Sequence, residues 1–406
     1  MRMLEGQLAD AYVRELESRG SRFYEVEPAV RKIVDDVRRD GDAALLKYAH
    51  QLDGLDSAQS LRVSESEIKD AWKRTPAQLQ AALRTSAKNI RQFCEWQKPK
   101  PWAKSRAGAS LGQIVRPLDS VGCYVPGGRF PLVSTLLMTV IPAQVAGVKT
   151  IRVISPRPSA EVLAAAAMLG VEEFYRVGGA QAIAALAYGT ETIPRVTKIV
   201  GPGNSYVTAA KRLVSFDCSI DMLAGPTEVV IVSSKGNPAF IAADLIAQAE
   251  HDPETLAVFI TTSRKLASAV ENGIAQQSLD TRGAILIAGS REQAFEWANR
   301  IAPEHITIDK NKQDLALIRN AGSVFIGHYS AQAAGDYASG PNHVLPTAGA
   351  ARFRGGLSVV DFVKVISVQE LSSANLRKLS PTIVRLAETE GLRAHAESIR
   401  VRCPGA

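Results

Sequence analysis

From residue 112 to residue 325 the chain alternates short runs of β-branched residues with alanine-rich segments of helical length. Strand-like runs include residues 150–155 and 228–233, and helical segments include residues 159–169 and 238–250. Parallel strands need crossover connections, which are usually helices, so this alternation is typical of βαβ units. The pattern predicts an α/β fold with parallel-rich sheets, and there are enough strands for two such sheets.

The flanking sequence has a different texture. The first hundred residues place apolar side chains at helical spacing until Pro99 and Pro101 interrupt them, and residues 375–402 are again helical by pattern. That last segment is too short to bury a core of its own, so we expect it to dock on another surface. We expect four parts: a helical N-terminal arm over 1–105, two α/β domains over 106–222 and 223–350, and a C-terminal tail over 351–406.

Charge and composition exclude several classes of protein. The net charge is +7, but even the densest basic stretches, residues 14–22 and 393–402, are interleaved with acids. We expect a solvated surface there and no nucleic-acid partner. No stretch approaches about 20 uninterrupted apolar residues, so no membrane span is expected.

The cysteines and the N-terminus indicate a compartment. The four cysteines are far apart and form no CxxC pair, which favours neither a disulfide framework nor a zinc knuckle. The first ten residues lack the apolar region of a signal peptide. Together these features predict a cytoplasmic location.

Gln248 and His251 lie three residues apart near the end of a predicted helix. Side chains at that spacing leave the same helical face, so an amide oxygen and a neutral imidazole could bind one cation. The alternative is a helix C-terminus at which the macrodipole favours a histidine. The motif alone leaves both interpretations open.

Glu304 and His305 are adjacent where a predicted helix gives way to a strand. Neighbouring side chains at such a junction project in different directions and can serve two chemical steps. Histidine suits proton abstraction near neutral pH, and a carboxylate can activate a water. The alternative is an exposed glutamate beside a half-buried histidine.

Residues 335–343 combine glycines, a proline and small residues with Asp336 and His343. This composition predicts a structured loop, and functional residues concentrate on such loops. The alternative is a turn in which Asp336 caps the next element. His395, in the helical tail, carries no signal when considered in isolation.

Signals for a dinucleotide are weak. The sequence has no complete GxGxxG and no GxxxxGK[ST]. Glycine turns at 125–129 and 201–204 each precede a helix and could present backbone N–H groups to an anion. Both are also common as plain turns.

Several segments, taken in order, resemble the histidinol dehydrogenases. They are GCYVPGG at 122–128, GGAQAI at 178–183, GPGN at 201–204, IDMLAGPTE at 220–228, QAEH at 248–251, PEH at 303–305 and the segment 335–347. The resemblance runs in register from about residue 20 to His395, and its most specific parts are 220–228 and 336–347. It implies two incomplete Rossmann-like domains, with terminal pieces that embrace the partner in a homodimer.

The resemblance also implies roles for individual residues. The catalytic pair would be Glu304 and His305. One Zn²⁺ per subunit would be bound by Gln248, His251, Asp336 and His395, the last from the other subunit of a dimer with shared active sites. Substrate contacts are implied for those four ligands and for Thr227, His305, His343 and Glu390. NAD contacts are implied for Tyr124, Gln181 and Asn204. Thr227 stands where a serine is often found, which preserves the hydroxyl.

The implied reaction is the NAD-linked, four-electron oxidation of L-histidinol to L-histidine through bound L-histidinaldehyde, the last steps of histidine biosynthesis. A paralogous zinc and NAD dehydrogenase of another small alcohol is the alternative within the superfamily. A zinc-dependent hydrolase would use the same ligands without NAD. A basic nucleic-acid-binding module is the third possibility, and it would show a salt-dependent affinity.

Overall fold

The computed structural model describes residues 1–20, 22–56, 59–106, 108–127, 131–250, 253–275 and 282–404. Its contacts divide the chain into two compact units. The first contains Met1–Gln97 and Leu118–Phe362, and the second contains Lys98–Pro117 and Val363–Ala406. The finer division into four parts stays a prediction.

Helices account for much of the chain. The α-helices are α1 Gly6–Glu17, α2 Glu27–Asp40, α3 Asp42–Tyr48, α4 Glu65–Arg74, α5 Ala77–Gln97, α6 Val133–Ala146, α7 Ala160–Met168, α8 Gly179–Tyr188, α9 Ser205–Val214, α10 Pro238–Ala249, α11 Arg264–Ala275, α12 Arg291–Ile301, α13 Lys312–Leu315, α14 Gln332–Tyr337, α15 Ser373–Thr389 and α16 Arg393–Arg400. Single turns of 3₁₀-helix lie at Arg22–Glu25, Ala350–Arg352 and Val359–Phe362, and a π-helical turn lies at Ala49–Asp53. No helix in the described ranges is long and apolar enough to cross a bilayer.

The strands form three sheets. They are β1 Arg2–Glu5, β2 Trp102–Arg106, β3 Ala109–Pro117, β4 Ser120–Tyr124, β5 Thr150–Ile154, β6 Glu173–Tyr175, β7 Lys198–Val200, β8 Ser219–Ile220, β9 Glu228–Val232, β10 Leu256–Thr261, β11 Arg282–Ile287, β12 His305–Ile308, β13 Ser323–Ile326 and β14 Val363–Leu371.

Two of the sheets belong to the first unit, and both are parallel. The five-stranded sheet has the order β6-β5-β4-β7-β8, and the six-stranded sheet has the order β1-β11-β10-β9-β12-β13. In the larger sheet β9 and β10 are buried along their whole length, as expected of central parallel strands covered on both faces. The prediction of an α/β fold with parallel-rich sheets is confirmed.

The order of strands reverses once in each parallel sheet. The chain leaves β4 toward β5 and β6, and then returns to place β7 on the other side of β4. In the larger sheet the chain likewise leaves β9 toward β10 and β11, and then returns to place β12 on the other side of β9. At such a point the two crossovers lie on opposite faces, which opens a crevice beyond the carboxyl ends of the strands.

Local sequence explains where the helices near the site begin. Asn237 caps α10 by accepting a hydrogen bond from the backbone of Ala239, and Pro238 occupies the first helical position. Ser290 caps α12 in the same way, and that helix ends at Ile301, just before Ala302, whose φ of 50° is left-handed. These signals fix the points from which the chain enters the site.

The second unit is built around an antiparallel sheet with the order β14-β3-β2, followed by α15 and α16. Strand β14 exposes almost every residue, including Val365, Ile366 and Val368. The two helices contact each other, but Leu386 and Leu392 remain largely exposed. This unit therefore presents apolar surface that its own residues do not cover.

Candidate active site

Glu304 and His305 lie where the chain passes from α12 into β12. His305 is the first residue of the strand and pairs in register with Val229 and Ser323. Both side chains are buried, with 6% of Glu304 and 3% of His305 exposed. The alternative of an exposed glutamate beside a half-buried histidine is therefore wrong, because the start of β12 is covered by neighbouring strands.

Glu304 is held by two donors from the start of β9. Its Oε2 accepts hydrogen bonds from the hydroxyl of Thr227 at 2.5 Å and from the backbone N–H of Glu228 at 2.9 Å. Burial raises the pKa of the Glu304 carboxyl to about 7, against the opposing effects of His305 and the two donors. At neutral pH this carboxyl therefore exists in both protonation states, as a group that exchanges protons requires.

The imidazole of His305 is oriented by a backbone carbonyl. Its Nδ1 lies 3.1 Å from the carbonyl oxygen of Glu228, which can only accept, so Nδ1 carries the proton. The lone pair of the neutral ring is then on Nε2, which lies 3.8 Å from Oδ1 of Asp336. The structure thus presents Nε2 as a base beside a carboxylate.

Gln248 joins the same group from the last turn of α10. Its Nε2 donates to Oγ1 of Thr227 at 2.5 Å, and the Thr227 hydroxyl in turn donates to Glu304. Gln248 is 3% exposed. Because the amide nitrogen is directed at Thr227, the amide oxygen is the atom of this side chain suited to a cation.

Asp336 and His343 come from one segment but not from one loop. Asp336 lies in the short helix α14, so the prediction that this part of the segment is neither helix nor strand is wrong. The ring of Phe325 leaves no room for a side chain at Gly335, so the glycine permits close helix packing there. Nδ1 of His343 donates to the backbone oxygen of Asp336 at 2.9 Å.

Three of the predicted metal and substrate residues lie outside the described residues of the first unit. His251 lies outside the described residues. Glu390 and His395 belong to the second unit, where both are exposed. Within the part of the chain that the structure describes, no three His, Cys, Asp or Glu side chains are grouped so as to hold a metal ion.

The predicted NAD contacts lie at the reversal point of the five-stranded sheet. Tyr124 ends β4, Asn204 follows β7, and Gln181 lies in the first turn of α8. The Tyr124 hydroxyl accepts a hydrogen bond from the N–H of Gly179 at 3.1 Å, and burial raises the pKa of Tyr124 to about 12. Asn204 caps α9 by accepting from Val207 at 3.1 Å.

Gln181 is the least satisfied of these side chains. Its Nε2 donates to Oδ2 of Asp53 at 3.0 Å, but its Oε1 is buried and has no hydrogen-bond partner within the described ranges. A buried acceptor without a partner costs free energy, which a donor from a bound molecule would recover.

Two residues next to the Glu304–His305 pair, Arg19 and Glu228, were not identified from the sequence. Arg19 lies in the basic stretch 14–22, which we expected to be solvated, yet its guanidinium makes an ion pair with the buried carboxylate of Glu228 at 2.7 Å. The available signal was an acidic residue at the start of an otherwise apolar strand, since a buried charge needs a partner.

Comparison with known proteins gives one consistent family. Residues 16–403 match the family model described as histidinol dehydrogenase. A histidinol dehydrogenase of Geobacter metallireducens is 46% identical over 403 residues, which cover 94% of this chain and 92% of that protein. One of Methanothermobacter thermautotrophicus is 47% identical over 396 residues, covering 92% of each.

A solved structure agrees with these sequence matches. The crystal structure of histidinol dehydrogenase from Elizabethkingia anophelis superposes with a TM-score of 0.93 at 34% identity. The match covers 99% of this chain and 98% of that one.

Proposed function

Since this chain belongs to the histidinol dehydrogenase family, we propose that it oxidises L-histidinol to L-histidine through bound L-histidinaldehyde. Membership makes the chain an oxidoreductase. The observation that carries the finer proposal is the buried pair of Glu304 and His305. It combines a base nitrogen of fixed tautomer with a carboxyl whose pKa of about 7 suits proton exchange.

His305 would act in both oxidations. Its Nε2 takes the proton of the substrate hydroxyl while hydride leaves the carbon that bears this hydroxyl. The C–O bond then becomes the carbonyl of the aldehyde. The hydrogen bond from Nδ1 to Glu228 holds the ring as this charge forms. After losing its proton to solvent, His305 repeats the step on the hydrated aldehyde, which yields the carboxylic acid.

Glu304 would act between the two oxidations. In its ionised form the carboxylate takes a proton from a water whose oxygen bonds to the aldehyde carbon; the C=O π electrons move to the carbonyl oxygen, which receives that proton, and the hydrate forms. The donors Thr227 and Glu228 keep the carboxylate in place. Removing either general acid–base group should lower the rate of its step about 10²–10⁴-fold.

The donor set fits one Zn²⁺ per subunit. Gln248 and Asp336 supply an amide oxygen and a carboxylate from the first unit, and His251 and His395 would add two imidazoles, all of which zinc accepts. Bound zinc would hold the imidazole and amine of the substrate and fix its position. His343, Thr227 and Glu390 would complete the substrate contacts.

The cofactor site would be the crevice beside β4 and β7. Tyr124 and Asn204 lie at the carboxyl ends of these strands, where dinucleotides bind in open parallel sheets. The unpartnered Oε1 of Gln181 offers an acceptor to the ligand. NAD bound there would supply the hydride acceptor for each of the two oxidations.

A homodimer would complete each site. The second unit leaves apolar strand and helix residues uncovered, and a two-fold partner supplies a matching surface. In such a dimer His395 and Glu390 would reach the active site of the partner. The described cysteines are free and buried, which fits the cytoplasmic location that we propose.

A comparison of substrates tests the proposal. The zinc-loaded protein is incubated with NAD and either L-histidinol or another small amino alcohol, and NADH is followed by absorbance. We expect efficient turnover of L-histidinol. Preference for a different alcohol would support the paralogue instead, and no NADH with any alcohol would contradict the assignment of a dehydrogenase.

A further inference from the structure

Glu228 contacts both members of the catalytic pair through its backbone. Its N–H donates to Oε2 of Glu304 at 2.9 Å, and its carbonyl oxygen accepts from Nδ1 of His305 at 3.1 Å. One peptide segment therefore sets the position of the carboxyl and the tautomer of the imidazole. A displacement of this segment would disturb both groups at once.

The side chain of Glu228 is itself fixed on both oxygens. Nε and Nη2 of Arg19 donate to Oε1 and Oε2, each at 2.7 Å, and the backbone N–H of Ala348 donates to Oε1 at 3.0 Å. Glu228 is 4% exposed. This forked pairing has the geometry that makes arginine more specific than lysine.

Arg19 also fixes the segment that leads into Glu304. Its Nη1 donates to the carbonyl oxygen of Ile301 at 2.8 Å, at the end of α12 and three residues before Glu304. A second bond from Nη1 reaches the carbonyl of Leu16 near the end of α1. One guanidinium thus joins α1, the end of α12 and the start of β9.

We propose that Arg19 and Glu228 are positioning residues of the reaction, which hold Glu304 and His305 in their working geometry through the Glu228 backbone. The inference rests on the proposed function for the roles of that pair. Without Arg19 the buried Glu228 carboxylate loses its cation, so the segment must move to bring the carboxylate to water or to another donor. Small misplacements of catalytic groups lower rates strongly while leaving ground-state binding less affected.

The chain offers a matched control. Arg300 pairs with Glu17 at 2.9 Å, which also joins α12 to α1, but its side chain makes no described contact with Glu228 or the catalytic pair. Arg19→Met removes the ion pair with Glu228 at the start of β9, whereas Arg300→Met removes the ion pair between α12 and α1 and leaves Glu228 untouched. Arg19→Lys keeps the charge without the fork, and it carries the test if Arg19→Met does not fold.

In steady-state assays we expect Arg19→Met to lower kcat about 10²-fold for both L-histidinol and L-histidinaldehyde, with KM for the organic substrate nearly unchanged. Arg19→Lys should fall between that variant and the wild type, and Arg300→Met should keep the wild-type kcat. Combined with His305→Asn, Arg19→Met should cause little further loss in the oxidation of L-histidinol to the aldehyde, because no imidazole remains to be positioned and Glu304 takes no part in that step. Losses that multiply in full in the double variant would indicate a structural role only.

A second readout does not depend on turnover. In protein labelled with ¹⁵N-histidine, the Nδ1 resonance of His305 is identified by its absence in His305→Asn. Arg19→Met should move or broaden this resonance, and Arg300→Met should not. Wild type without activity on L-histidinol would contradict the proposed function, while the resonance would still decide the positioning role. An unmoved resonance in Arg19→Met, or equal kcat in the Arg19 and Arg300 variants, would overturn it.

Discussion

Replacing Glu304 with glutamine should change how stability depends on pH. In the folded chain burial raises the pKa of this carboxyl from 4.5 to about 7. The folded state therefore binds the proton more tightly than the unfolded state. Between these two pH values the unfolded chain has lost the proton while the folded chain retains it, so stability falls as pH rises.

The size of this change in unfolding free energy follows from the difference between the pKa values of Glu304 in the folded and unfolded chain. One pKa unit corresponds to about 1.4 kcal/mol, so the ionisation of Glu304 should cost about 3 kcal/mol of unfolding free energy by pH 8. Below pH 4.5 the cost is absent. Glutamine does not titrate, and its amide oxygen can still accept from Thr227 and Glu228. The wild type should therefore lose about 3 kcal/mol relative to Glu304→Gln between pH 4.5 and 8.

Urea unfolding of both proteins after chelation, followed by circular dichroism from pH 4.5 to 8.5, measures this difference. Glu292→Gln is the control from the same stretch of chain. The pKa of Glu292 is lowered by a hydrogen bond to its own backbone N–H at the start of α12, so its contribution to stability is lost only below pH 4.5 and its difference should stay nearly flat across this range. If the unfolding free energy of the wild type relative to Glu304→Gln does not change with pH, or increases as pH rises, the interpretation of Glu304 as a buried, half-protonated carboxyl is refuted.

Three further outcomes follow from the site. Chelation should abolish activity while the circular dichroism spectrum stays folded, and zinc should restore activity; global unfolding would make the metal structural. His305→Asn should slow the oxidation of alcohol and aldehyde alike, about 10²–10⁴-fold, whereas Glu304→Gln should slow mainly the aldehyde; identical profiles would overturn this division. Mixing inactive His305→Ala and His395→Ala subunits should restore activity if the site is shared; a verified mixed dimer without activity would contradict sharing.

The sequence predicted the elements whose burial leaves a periodic trace. A strand was expected at residues 228–233 and a helix at 238–250, and β9 and α10 are found there, each ending one residue earlier. Strand β1 was not expected, since Arg2–Glu5 has no alternating pattern and forms a strand because β11 offers a pairing edge. Strand β14 was not expected either, because it lies outside the alternating region 112–325; it is exposed and pairs with β3.

The sequence indicated which residue types belong to the site, but it did not indicate their hydrogen-bond partners or their burial. Glu304 and His305 were expected as a pair. The two hydrogen-bond donors to the Glu304 carboxyl, however, come from Glu228 and Thr227, which lie 76 and 77 positions earlier in the chain. The partner of Glu228 is 209 residues away, so no local pattern indicates Arg19. The helix at Asp336 was missed because Gly335 suggested a loop, while the glycine instead allows α14 to approach Phe325.

We propose that one site performs two successive oxidations with the same histidine. The direct measurement is the number of NADH molecules formed for each L-histidinol consumed by the purified, zinc-loaded protein in excess NAD. We expect two NADH for each substrate, with L-histidine as the product and no aldehyde released. One NADH for each substrate, with aldehyde accumulating in solution, would contradict it.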